Sequence, residues 1–311
     1  MGLSGETFRL LFDQADPERG MHTVAHNPLR AVAGALGYDC EVHSTDDPAS
    51  ALDLLTERLE AGPAIMRLEE QWVVVDREPG AGGGFRVTAA QGKTETWDRE
   101  RIQSGWGQEP GLLELGLAGH YLFQLGEKQR DPDHRDAAVG SIRRGIRLMT
   151  RRAKVNGCAA GLAAYEDMQR AFRRPRRDPW QWRLDLSKFL RWRGAPLAAA
   201  AGSRHAANRF LQLIAEHFEP DTREHLGKAA QKYERVAEML EHLPELPAHL
   251  VPPLDRESHE PLSPEERRAV RAFAGIRRKS ARVLKRAHRL EQEAVDELRR
   301  ALDTVDRKKN Q

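Results

Sequence analysis

The chain has 311 residues, is 40% hydrophobic and 31% charged, and carries 50 Lys/Arg against 47 Asp/Glu. That length favours two domains and that composition an ordinary core with a charge-rich surface. Its longest apolar runs fall short of the ~20 residues that cross a bilayer, which excludes a membrane-spanning helix.

The start, Met1 to Glu6, lacks the basic region and apolar stretch of a signal peptide. Glu6 also stands where a myristoylation signal needs Ser or Thr. Cys40 and Cys158 are too few and too distant for a disulfide scaffold or a zinc site. A cytoplasmic protein without metal or cofactor is expected. Charge is uneven: residues 1–126 hold 10 Lys/Arg against 20 Asp/Glu, and the remainder 40 against 27. The two parts could dock by complementarity, the charges could be solvated surface, or the basic part could meet an anionic partner.

The first part alternates helix and strand. Phe8, Leu11 and Phe12 fall on one face of a helix over 5–13, and an Ala/Leu-rich helix over 28–37 ends at Gly37. A short strand follows at Cys40–His43. Asp47-Pro48 opens a helix with a capping carboxylate and a first-turn proline, and Leu52, Leu55 and Leu59 are its buried stripe. Strands are expected at Ala64–Leu68, Gln71–Asp76 and Phe85–Ala89, with the Gly80–Gly84 stretch as a hairpin loop. The run Val73-Val74-Val75 predicts a central strand buried on both faces. Leu112–Leu115 and Tyr121–Leu125 could extend the sheet.

Beyond about residue 127 the pattern is helical. Helices are expected over 133–152, 158–172, 179–192 and 203–218, then from a capping-box-like Asp221/Glu224. A Pro-rich link over 244–261 precedes a long last helix opened by Ser263-Pro264-Glu265-Glu266, whose stripe includes Phe273, Ile276, Ala287, Leu290, Ala294, Leu298 and Val305. A helix that long packs along a bundle or forms a coiled coil. The expected division is an α/β domain over 1–127 and a helical bundle over 128–311.

Three groups of residues carry a resemblance. The first is Gly2-Leu3-Ser4-Gly5-Glu6-Thr7-Phe8-Arg9. The second is Ala35-Leu36-Gly37-Tyr38 with Gly62-Pro63-Ala64-Ile65 and Gln71-Trp72-Val73-Val74-Val75. The third is Gly161 to Glu166, followed by Arg204 to Leu211. Together they resemble the bacterial family related to the N-terminal domain of the butirosin-biosynthesis H protein, which is similar to papain-like bacteriocin-processing peptidases. The resemblance implies an α+β protein: a truncated papain-like domain with a small antiparallel sheet, then an all-α bundle. In active relatives a nucleophilic Cys lies upstream of the Ser-Gly-x-x-Phe-Arg motif, a His opens the strand matching Gln71–Val75, and an Asp or Asn follows on the next strand. Here no residue matches the Cys, Gln71 occupies the His position, and Thr88–Gln91 offers no carboxylate. The resemblance therefore implies an empty triad, with Ser4, Phe8, Arg9, Gln71 and Trp72 beside the groove.

The residues themselves agree. Cys40 and His43 lie three apart on a strand and point to opposite faces; Cys158 starts a helix among apolar neighbours. Ser4 reads as a helix cap rather than a nucleophile, and His22 and His26 as loop histidines. Arg173, Arg174, Arg176 and Arg177 precede Trp180 and Trp182, a basic-aromatic mixture found in single-strand grooves and also in ordinary inter-helix segments. The expected function is non-catalytic binding of a peptide, carrier or partner protein. Two alternatives are a cysteine peptidase or acyltransferase whose nucleophile lies upstream of a mis-called start, and nucleic-acid binding through the basic part. Oligomerisation through the last helix is a further, weaker expectation.

Overall fold

A computed structural model describes residues 5–13, 16, 28–69, 71–78, 84–89, 92–106, 119–155, 157–173, 179–251 and 261–309. In chain order, a 3-10 turn at Glu6–Phe8 leads to β1 (Leu11–Phe12), α1 (Pro28–Ala35), β2 (Tyr38–Thr45) and α2 (Pro48–Arg58). Then come β3 (Ala64–Leu68), β4 (Gln71–Arg77), β5 (Phe85–Ala89), β6 (Thr94–Trp97), α3 (Arg99–Gly105) and β7 (His120–Lys128). The helical part holds α4 (His134–Thr150), β8 (Ala159–Ala160), α5 (Gly161–Arg173), α6 (Pro179–Arg193), α7 (Ala195–Ala215), α8 (Pro220–Glu241) and α9 (Pro264–Lys309). The chain divides into two compact units, one of residues 24–137 and one of residues 1–23 with 138–311. The unit boundary thus falls at 137–138 rather than 127, and the N-terminal segment belongs with the helices.

The sheet unit is built on a six-stranded antiparallel sheet in the order β2-β7-β3-β4-β5-β6. The Asp47 carboxylate accepts the backbone N–H groups of Ala49 and Ser50 at 3.1 and 3.2 Å, so α2 starts where the sequence places it. Its Leu52 and Leu55, with Leu59 just past its end, pack with Ile102 and Trp106 against Met66, Val73, Val75 and Val87 on one sheet face. Each such buried side chain contributes roughly 1.5–3 kcal/mol. Gln124 of β7 donates its amide to the carbonyls of Arg58 and Gly62, at 2.7 and 3.0 Å, fixing the end of α2 and the turn into β3. On the other face, Leu29 of α1 packs with Tyr121, Phe123, Cys40, Val42 and Ile65.

Two expectations are corrected here. Val74 is 41% exposed although Val73 and Val75 are buried, because α2 and α3 pack on one face of β4 only. β6 and α3 are two elements beyond those expected from the sequence. Thr94–Trp97 is short and polar, but Thr94 to Trp97 pair along β5, and Asp98 caps α3 through the N–H of Arg101 at 2.8 Å. Leu112–Leu115 lies outside the described residues.

In the helical unit α7, α8 and α9 pack side by side, and α5 packs on α9. The expected helix over 5–13 is instead a 3-10 turn followed by β1, which pairs antiparallel with β8. The local spacing fits a helix, but the partners of this segment lie far along the chain. Gly161 donates its N–H to the Leu10 carbonyl at 2.8 Å and turns into α5 with φ +55°, a conformation that suits glycine. Phe8 is fully buried beside Phe210 and Tyr233, and a side chain at Gly145 would overlap its ring.

The last helix opens as expected. Ser263 and Glu266 exchange hydrogen bonds, the backbone N–H of each donating to the other's side chain, at 2.8 and 3.2 Å. The Asp221/Glu224 reading is corrected: α8 starts at Pro220 after Glu219, with no side-chain cap, because proline supplies the first-turn geometry itself.

Candidate functional site

Gln71 and Trp72 open β4 in the sheet unit, both exposed, Trp72 to 42%. Trp72 lies at ring-centroid distances of 5.9 Å from Phe123 and 6.4 Å from Tyr121. Those two rings are buried, so the indole stands on a fixed aromatic base with much of its surface in solvent. Strand alternation places Val74 on the same face as Trp72, and register sets it opposite Thr88 of β5. Thr88 in turn shares a hydroxyl hydrogen bond of 3.0 Å with Thr94 of β6. Asp76 and Arg86 pair one step further along. This face therefore runs from an apolar stripe to a polar margin.

The Tyr121 hydroxyl is buried with no hydrogen-bond partner among the described residues, and burial pushes its pKa up to about 12. It stays protonated and donates if anything polar reaches it. Cys40 is half-buried in β2; burial raises its thiol pKa, against a smaller opposing effect of Arg30. Such a thiol is a weaker nucleophile at neutral pH than a free one. His43 sits opposite Leu122 and pairs with Glu41 at 3.2 Å, while Cys40 sits opposite Leu125. Cys158 is fully buried in the helical unit. Among the described residues no thiol–imidazole couple forms, and no cluster of three metal-ligating side chains is present.

The other expected groove residues go elsewhere. Ser4 lies outside the described residues. Phe8 and Arg9 belong to the helical unit, not to the unit of Gln71 and Trp72. Phe8 is a core side chain rather than a groove wall. The Arg9 carbonyl accepts a hydrogen bond from Arg204.

That Arg204 belongs to a buried polar cluster in which Tyr165, of the preceding Gly161–Glu166 segment, also takes part. Arg204 and Glu291 are both fully buried and pair, with Arg204 Nη2 3.0 Å from Glu291 Oε2. Tyr165 donates to Glu291 at 2.9 Å and stacks on His288 at 5.9 Å. Burial alone would lower the Arg204 pKa, but Glu291 and Tyr165 hold it above its ordinary value. Burial pushes the Tyr165 pKa well up, reinforced by the Glu291 charge. Arg204 lies between Ala201 and Ala207, which sit in different apolar clusters, and Glu291 lies likewise between Ala287 and Ala294. The pair is a polar layer separating two apolar cores. Sequence reading missed Glu291, although a carboxylate continuing the stripe between Ala287 and Ala294 was the available signal.

The basic-aromatic run is only partly described. Arg174, Arg176 and Arg177, and the side chains of Arg173 and Trp180, lie outside the described residues. Trp182 is 5% exposed within the helical core. Its ring faces are covered, which corrects its expected place on a basic surface.

The fold is a mixed α+β protein with a small antiparallel sheet and a helical C-terminal region. No helix among the described residues is long and apolar enough to cross a membrane. No protein family and no curated protein matches the chain.

Proposed function

We propose that this chain is a non-catalytic, degenerate papain-like protein whose sheet unit binds an extended peptide segment, free or displayed by a carrier or partner protein, on the Trp72 face. The observation that carries this reading is the exposed Trp72–Val74 stripe beside Gln71, at the strand where active relatives of the resembling family place their base. Covering apolar surface there is worth about 25 cal/mol per Å², and an indole offers a large contact area with few torsions to freeze. Gln71 cannot act as a base, and the raised Cys40 pKa does not suit a nucleophile. A reducing cytoplasm fits two free cysteines. Nucleic acid is the weaker partner, since Trp182 has no open ring face.

The test pairs selection from a displayed peptide library with an activity screen. Selected peptides should bind the purified chain and lose at least tenfold in affinity to the Trp72→Ala/Val74→Ser variant. Peptide and acyl-thioester probes should be left intact. Thiol-dependent turnover, abolished by alkylation, would refute the proposal, as would peptide binding indifferent to the double substitution.

A further inference from the structure

We infer that the helical unit carries a second and separate site, a pocket for a small organic anion with an aromatic or acyl body. A cavity of about 400 Å³ opens between β1, α5, α6 and α9, within the roughly 300–1,000 Å³ of small-molecule sites. Its floor is an interlocked aromatic set. Phe172 meets Trp192 and Phe189 edge-on at 5.3 Å, Phe189 meets Phe273 at 5.3 Å, and Phe12 meets Trp192 at 6.4 Å. Each ring is held by the next, so the floor is formed before any ligand arrives. Preorganisation of this kind lowers the cost of binding.

Polarity at the pocket decides the ligand's charge. Three carboxylates and three cations line it, but they are not equally committed. Arg277 donates to the carbonyls of Ala171 and Phe172, at 2.9 and 3.1 Å, closing the C-terminal end of α5, and lies 3.5 Å from Asp185. Asp167 pairs with Arg170. Asp13 accepts the Asp16 N–H at 3.4 Å. Lys154 and Lys188 line the same cavity and make no ion pair or hydrogen bond with the described residues. Two of the carboxylates thus face arginines and the third takes a backbone N–H, while two ammonium groups are without an ion pair beside the aromatic floor. A carboxylate or phosphate on a flat or acyl body satisfies both requirements, whereas a cationic ligand would meet two unpaired like charges.

The test is calorimetry on the full chain with three naphthalene probes of one shape: the 2-carboxylate, the 2-methanol and the 2-methylamine. The carboxylate should saturate and bind tightest, and the amine weakest. Lys154→Met/Lys188→Met should weaken the carboxylate by about tenfold, toward the alcohol. Ala171→Leu, which narrows the cavity beside the aromatic floor, should weaken binding of all three. Far-UV circular dichroism of both variants checks that they fold. An amine that binds as well as the carboxylate would overturn the inference. So would the absence of saturation by any probe, or a carboxylate affinity that neither variant changes. The Trp72→Ala/Val74→Ser protein should bind the probes normally, so the two sites fail independently.

Discussion

Replacing Arg204 by Met leaves the Glu291 carboxylate buried without its cation. Both side chains are fully buried in the structure, with Tyr165 the remaining donor to Glu291. Breaking a pair of this kind costs about 3–5 kcal/mol, because the surviving charge keeps its desolvation penalty and loses its partner. That is a large share of a domain's total of roughly 5–15 kcal/mol. Glu291→Met should cost a similar amount by stranding the guanidinium. The double variant Arg204→Met/Glu291→Met removes both charges from a layer flanked by apolar clusters, and it should recover much of the loss. Urea unfolding followed by the far-UV helical signal measures the cycle, with calorimetry checking that the helical unit unfolds as one transition. The reasoning fails if either single variant loses under about 1 kcal/mol, or if the double variant loses the sum of the two.

Gly145→Ala should destabilise the helical unit by about 1–3 kcal/mol, since its Cβ would overlap the Phe8 ring; thermal melts in a Phe8→Ala background should show the penalty largely gone. His205 is hydrogen-bonded by Glu241 and Glu234, which raises its pKa against a smaller desolvation effect. Its contribution is therefore complete below the unfolded value of about 6.5 and is lost as pH rises through the higher folded value. The stability gap between wild type and His205→Gln should be widest below about pH 6.5 and shrink as the pH rises above it, and a constant gap in urea midpoints would rule this out.

Features written in a few adjacent residues were legible. The Asp47 cap, the Ser263/Glu266 box, the strand β3 and the Val-rich strand β4 depend on neighbours and emerge as expected. Features set by distant partners were not. Phe8, Leu11 and Phe12 have helical spacing, yet Ala159, Ala160 and Gly145 make the first residues a strand and a plug. Val74 looks like core until the positions of α2 and α3 are known. The start of α7 lies before the expected 203 because residues 195–202 are only Ala, Pro, Leu and Gly and carry no polar face. Of the candidate site, Gln71 and Trp72 could be placed on a strand, but the burial of Phe8 and Trp182 could not be foreseen. The Arg204–Glu291 pair joins two helices far apart in sequence, and its local trace is limited to the place of Glu291 on the apolar stripe between Ala287 and Ala294.

The pairing of β1 with β8 makes the sheet unit an insertion within the helical unit's chain. During synthesis, residues 24–137 can gather their own core while the segment that precedes them waits for α4 and β8 to emerge. The helical unit must then close a long loop to recover Leu11 and Phe12, an entropic step that a prefolded insert shortens. Cuts at both junctions would consequently release residues 24–137 and leave two pieces of the helical unit that must find each other by diffusion.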